Sequence, residues 1–258
     1  MNSFFYFHSV VERLRLFLGT EVDNSPLILF RMCFGFLIAA ESFGAILTGW
    51  VDKTLIKPVF TFNVIGFDWI QPLDGNGMIF YFCAMGCTGI LMMLGLFYRY
   101  AAGTFSVMWT LVYMMQKTHY NNHYYLLVLL GFVMLLLPAN RAYSLDVKFG
   151  FIASRKSCAR ICHYFFITQI VIVYLYASFH KMNPDWIAAK SIGIWFEAKK
   201  HYFLIGPLLG KEWFQLLICW GGIVYDGIIV FLLLYKPTRK FGFILSVVFN
   251  LFNSVVFQ

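Results

Sequence analysis

Lys117, His119, Asn121, Asn122 and His123 crowd into residues 116–124, between two long apolar segments. Such side chains handle protons: an uncharged lysine amine is a base, while imidazole and carboxamide groups hold and orient a polar ligand. Only 42 residues separate Arg99 from Arg141, and one helical bilayer crossing uses about 20. Two crossings consume nearly the whole interval, so the cluster is expected at the membrane surface or slightly below it. Desolvation there disfavours the charged form of Lys117 and makes the neutral amine available. Taken alone, Lys117 also reads as a cation snorkelling from a helix end. Its neighbours favour a site, because several polar side chains in a short interfacial turn need partners or a ligand. No acid or thiolate stands nearby to complete a metal site with the two histidines, so no metal is expected.

The elements that position this cluster follow from composition. The 258 residues are 60% hydrophobic and 12% charged, about half the charge of an ordinary soluble domain. Apolar stretches of about 18 residues or more recur, which predicts an all-α, polytopic transmembrane helical bundle. Seven spans are expected, near 27–49, 77–97, 100–116, 123–138, 161–179, 213–234 and 239–258. Residues 1–25 form a separate N-terminal segment, read as an amphipathic helix lying on the membrane. The net charge of +8 is assigned to lysines and arginines that fix topology, with no nucleic-acid partner. Placing the N-terminus in the cytoplasm puts eleven of them inside and eight outside. That bias predicts an N-in protein in contact with lipid; the membrane expected is a bacterial inner membrane. The Lys117 cluster, the aromatic loop 51–76 and the loop 180–212 then face outward. Cys83 and Cys87 share a helix face and read as small core residues.

Other charges fall within the spans. Arg31 and Glu41 lie in the first and Asp226 in the sixth; each fits either a functional group or a buried ion pair that locks helices. Lys181, Asp185 and Trp186 lie in an outward loop, which fits a substrate-side role or an interfacial turn anchored by tryptophan.

The run Lys117, Thr118, Asn121, Asn122, His123, Tyr125, Leu126 resembles the active-site segment of the vitamin K-dependent gamma-glutamyl carboxylases, which share the horizontally transferred transmembrane domain. Further matches follow in the same order: Pro26 and Leu27 through Arg31, 66–69, 93–99, Pro138 through Asp146, Gln169 through Tyr174, Lys181 with Asp185 and Trp186, Trp220 through Asp226, and Asn253 with Ser254. Together they cover residues 25–258. The resemblance implies that Lys117 deprotonates vitamin K hydroquinone. Oxygenation of that cofactor to its epoxide is then coupled to removal of a γ-proton from glutamate and addition of carbon dioxide. Asn121, Asn122, His123 and His119 would position the quinone, and a glutamate-containing peptide would be the second substrate. Thr61 and Asn250 depart from the pattern, standing where members often carry histidine. Relative to the family the chain reads as C-terminally shortened. A quinone- or lipid-binding protein without carboxylating activity is the alternative. A transporter ranks last, because no repeated half with broken helices is visible.

Overall fold

The computed structural model describes residues 2–119, 122–202 and 206–257. Asn121, one of the expected quinone-positioning residues, lies outside the described residues. The chain folds as two compact units, Met1–Phe166 and Ile167–Gln258.

The first unit opens with α1 (Asn2–Gly19), β1 (Glu21–Asp23) and α2 (Ser25–Leu47), followed by α3 (Gly77–Leu94), α4 (Tyr98–Met115) and α5 (Asn122–Leu136). It closes with α6 (Leu145–Lys148), β2 (Ser157–Ala159) and the start of α7 (Ile161–His180). Proline in the first turn of α2 fits a position whose backbone donor has no helical acceptor. Glycine lets α2 and α3 approach closely. A Cβ on Gly89 would stand 2.7 Å from the Ala39 nitrogen, and one on Gly35 the same distance from the Gly89 carbonyl oxygen; small residues at helix contacts serve this purpose in membranes. The buried face of α3 therefore carries Phe82, Met85, Gly86, Gly89 and Met92. Cys87 is turned outward and exposed, and Cys83 is half-buried, which corrects their reading as core residues. In a bilayer the outward face is as apolar as the inward one, so hydrophobicity alone does not tell them apart.

All seven expected segments form helices. Four of them, α2, α3, α7 and α11 (Glu212–Leu234), are long and apolar enough to cross a membrane, and α5 is a shorter apolar helix. Exposed Phe36, Leu37, Phe80, Phe132 and Leu136 coat the first unit, a surface suited to lipid. This is a multi-pass, all-α membrane protein. One short antiparallel ribbon was not foreseen: Val22 of β1 pairs with Cys158 of β2. It is tied to the helices by Asn24, whose side chain donates to the Pro138 carbonyl at 3.1 Å. On α1 the apolar residues Leu14, Leu16 and Phe17 are exposed. The Arg160 guanidinium lies 4.3 Å from the centre of the Phe17 ring.

The second unit contains the rest of α7, then α8 (Pro184–Ile187), α9 (Lys190–Glu197), α10 (Gly206–Leu209), α11 and α12 (Arg239–Phe257). Ile192, Phe196, Leu209 and Cys219 form one buried cluster, and Tyr225, Ile229 and Val230 another.

Candidate functional site

The chain leaves α4 through an extended Gln116 and makes a single 3-10 turn, Lys117–His119, before α5 begins. The aromatic loop that follows α2 holds this turn in place. The Lys117 backbone N–H donates to the Phe62 carbonyl at 2.6 Å, and the Val64 N–H to the Met114 carbonyl at 3.2 Å. The Phe62 N–H donates to Gln116 Oε1 at 3.0 Å, and Gln116 is buried. Thr61, at a position where histidine was anticipated, contributes a hydroxyl that donates to Gln71 Oε1 at 3.2 Å within the loop. Asn250, the other departure, is exposed on α12, and its amide donates to the Ser246 carbonyl.

Beside the turn lies a cavity of about 320 Å³ among α2, α3, α4 and α5. Trp50, Phe82, Trp109, Tyr113 and Tyr124 give it an aromatic wall, and Glu41, Gln116 and His119 give it polar groups. The Tyr124 hydroxyl donates to Glu41 Oε1 at 2.8 Å, and the Trp109 indole N–H donates to the Tyr124 carbonyl at 3.1 Å. His119 stands edge-on to Trp50, ring centres 5.9 Å apart.

Of the residues expected to act together, His119 reaches the cavity wall. Lys117, Asn122 and His123 are exposed around it. Among the described residues nothing buries the Lys117 side chain, which is exposed, so shielding of its amine from water would come from the membrane surface. Trp50, Trp109, Gln116 and Tyr124 were not read as site residues on their own. One signal was available: Glu41, Gly44 and Ala45 on α2 and Thr48 just after it recur at helical spacing, a small and polar stripe.

The HTTM domain profile matches residues 20–258. The chain belongs to the HTTM domain family. This is the domain that vitamin K-dependent gamma-carboxylases carry, in line with the resemblance of the Lys117 segment. No solved structure matches the chain.

The charges within the spans of this HTTM domain have identifiable partners. Arg31 is fully buried and pairs with carbonyls instead of an acid. Its Nη1 donates to Met92 and Met93 at 3.0 and 2.9 Å, and its Nη2 to Tyr143 at 2.7 Å. Those carbonyls include two in the last turn of α3, where i+4 donors run out; the Met92 carbonyl also accepts from the Gly95 N–H at 3.1 Å. Nearby, the Asp146 carboxylate accepts from the Phe97 and Tyr98 N–H groups at 2.7 and 3.2 Å, capping the start of α4, and from the Asn140 amide. This network sits at the end of α4 away from Lys117, and its carbonyl bonds fit the structural reading of Arg31. In β2, burial pushes the Cys158 thiol up to about 11, so the protonated form prevails at neutral pH.

In the second unit Lys181 Nζ donates to Asp226 Oδ2 at 2.6 Å, and lies 5.3 Å from the centre of the Trp186 ring. The Trp186 indole donates to the Cys219 carbonyl, while Asp185 pairs with Lys190 at the surface. The buried-pair reading therefore fits Asp226. Asp226→Ala is expected to cost about 1–3 kcal/mol, below the fully buried range because the Lys181 side chain is 24% exposed. The double variant Lys181→Met/Asp226→Leu is expected to recover most of that loss, as read by unfolding in micelles. A double variant as unstable as Asp226→Ala would show that packing, not charge, sets the cost.

Proposed function

We propose that this HTTM domain is a membrane carboxylase core, with Lys117 the base that starts the oxygenation of vitamin K hydroquinone coupled to γ-carboxylation of protein glutamate. The observation that carries the reading is the Lys117–His119 turn, which borders an aromatic cavity inside an HTTM domain. The residues present fit such a cofactor: five aromatic side chains surround a space at the low end of the range of about 300–1,000 Å³ typical of ligand sites. That volume suits a flat fused ring, with an isoprenoid tail left in the lipid.

When bound, the reduced cofactor supplies, together with dioxygen, the basicity needed to remove a γ-proton from glutamate. The chain's own residues have simpler tasks. The cavity wall excludes water and orients the ring. The Lys117 amine accepts the hydroxyl proton at the mouth, as a general base near the membrane surface. His119, with Asn121, Asn122 and His123, positions the ring oxygen beside it. Seven spans with the N-terminus inside would place this mouth on the outer side, where a glutamate-containing peptide arrives.

In proteoliposomes given reduced vitamin K, oxygen, bicarbonate and a glutamate peptide, the chain is expected to form epoxide and fix carbon dioxide in step. Epoxide without fixation would remove the carboxylase half of the proposal. Neither product from folded protein would remove all of it.

A further inference from the structure

We infer that Glu41 makes the cavity selective for the reduced, hydroxyl-bearing state of an aromatic ring; the inference rests on the quinol reading above. Glu41 lies in α2, about two turns before that helix ends near the membrane surface, and its carboxylate lines the aromatic cavity. A carboxylate has about four lone-pair sites and no donor. Here one oxygen accepts from the Tyr124 hydroxyl at 2.8 Å; among the described residues the other oxygen has no donor. Glu41 is half-buried beside the aromatic wall, and a donor brought in by a ligand replaces the water its open oxygen gives up on binding.

The state of the ring then decides the fit. A hydroquinone presents hydroxyl donors, so one of them can bond the open oxygen of Glu41. An oxidised ring presents carbonyl oxygens, and an ether presents oxygens without hydrogen. Both bring acceptor lone pairs against a negative acceptor, which is repulsive. Tyr124 cannot swing away to offer its hydroxyl to such a ligand without abandoning Glu41. Its backbone is also held in place by the Trp109 indole. The cavity accordingly admits reduced cofactor and discharges oxidised product, with no moving part. Glu41 acts here on specificity and does not accept the proton assigned to Lys117.

The test is anaerobic binding of 1,4-naphthohydroquinone, 1,4-naphthoquinone and 1,4-dimethoxynaphthalene to the chain in micelles. Quenching of tryptophan fluorescence gives the readout, since Trp50 and Trp109 line the cavity. The wild-type chain is expected to prefer the diol by about tenfold or more, the scale of one hydrogen bond to a charged group. Glu41→Met abolishes that preference and binds the dimethyl ether at least as tightly as the wild type does, which also reports an intact cavity. If Glu41→Met does not fold, Glu41→Gln substitutes, with the preference reduced several-fold. Tyr124→Phe keeps the preference. Equal wild-type affinity for diol and ether overturns the inference and leaves the quinol reading standing, as does a preference undiminished at Glu41→Gln. Binding of none of the three probes overturns both.

Discussion

Replacing Arg31 with methionine is expected to destabilise the first unit by about 3–5 kcal/mol, the cost of taking a charged donor from three carbonyls at a buried site. The guanidinium bonds the Met92, Met93 and Tyr143 carbonyls at 2.7–3.0 Å. Methionine fills similar space but donates nothing, and the site is fully buried within the protein. Gly95 is expected to be at least as sensitive. It ends α3 with φ +66°, where side chains are strained. An added Cβ would also overlap Arg31 Nη1 and stand 2.5 Å from the Ser144 Cβ. Gly95→Val therefore forces out the cation that closes α3. Folded yield on size exclusion and unfolding in micelles measure both variants. An Arg31→Met protein within about 1 kcal/mol of wild type would show that other donors satisfy these carbonyls.

This network shows what the sequence made legible. Arg31, Gly95, Asn140, Ser144 and Asp146 all stand in segments that resemble the family, yet nothing in their spacing says that they meet. The structure gathers them at one end of α4, with Lys117 at the other. The helices themselves were visible because an apolar run of span length has few other uses in a chain this poor in charge. Lys117 was visible because a polar turn between two such runs is costly unless something occupies it. The cavity was not visible. Glu41 and Tyr124 are 83 residues apart, and their bond depends on how α2 rotates against α5. Hydrophobic periodicity fixes that rotation in water but carries little information where lipid is the solvent. The β1–β2 ribbon escaped notice for a different reason. Three residues a side are too few to show alternation.

The largest effect on activity is expected at Lys117. Removing a positioned general base costs about 10²–10⁴-fold, so Lys117→Ala is expected to lose epoxide formation while diol binding in the cavity persists. The snorkelling alternative also predicts some loss on truncation, and the alanine variant alone does not separate the two roles. Arginine does. It keeps a cation on a long apolar stem, which is all a snorkelling residue needs, but it does not deprotonate in proteins and cannot serve as a base. The deciding measurement is the rate of vitamin K epoxide formation by Lys117→Arg in proteoliposomes, beside wild type and Lys117→Ala. A rate as low as that of the alanine variant is predicted; a rate near wild type would contradict the assignment of Lys117 as the base.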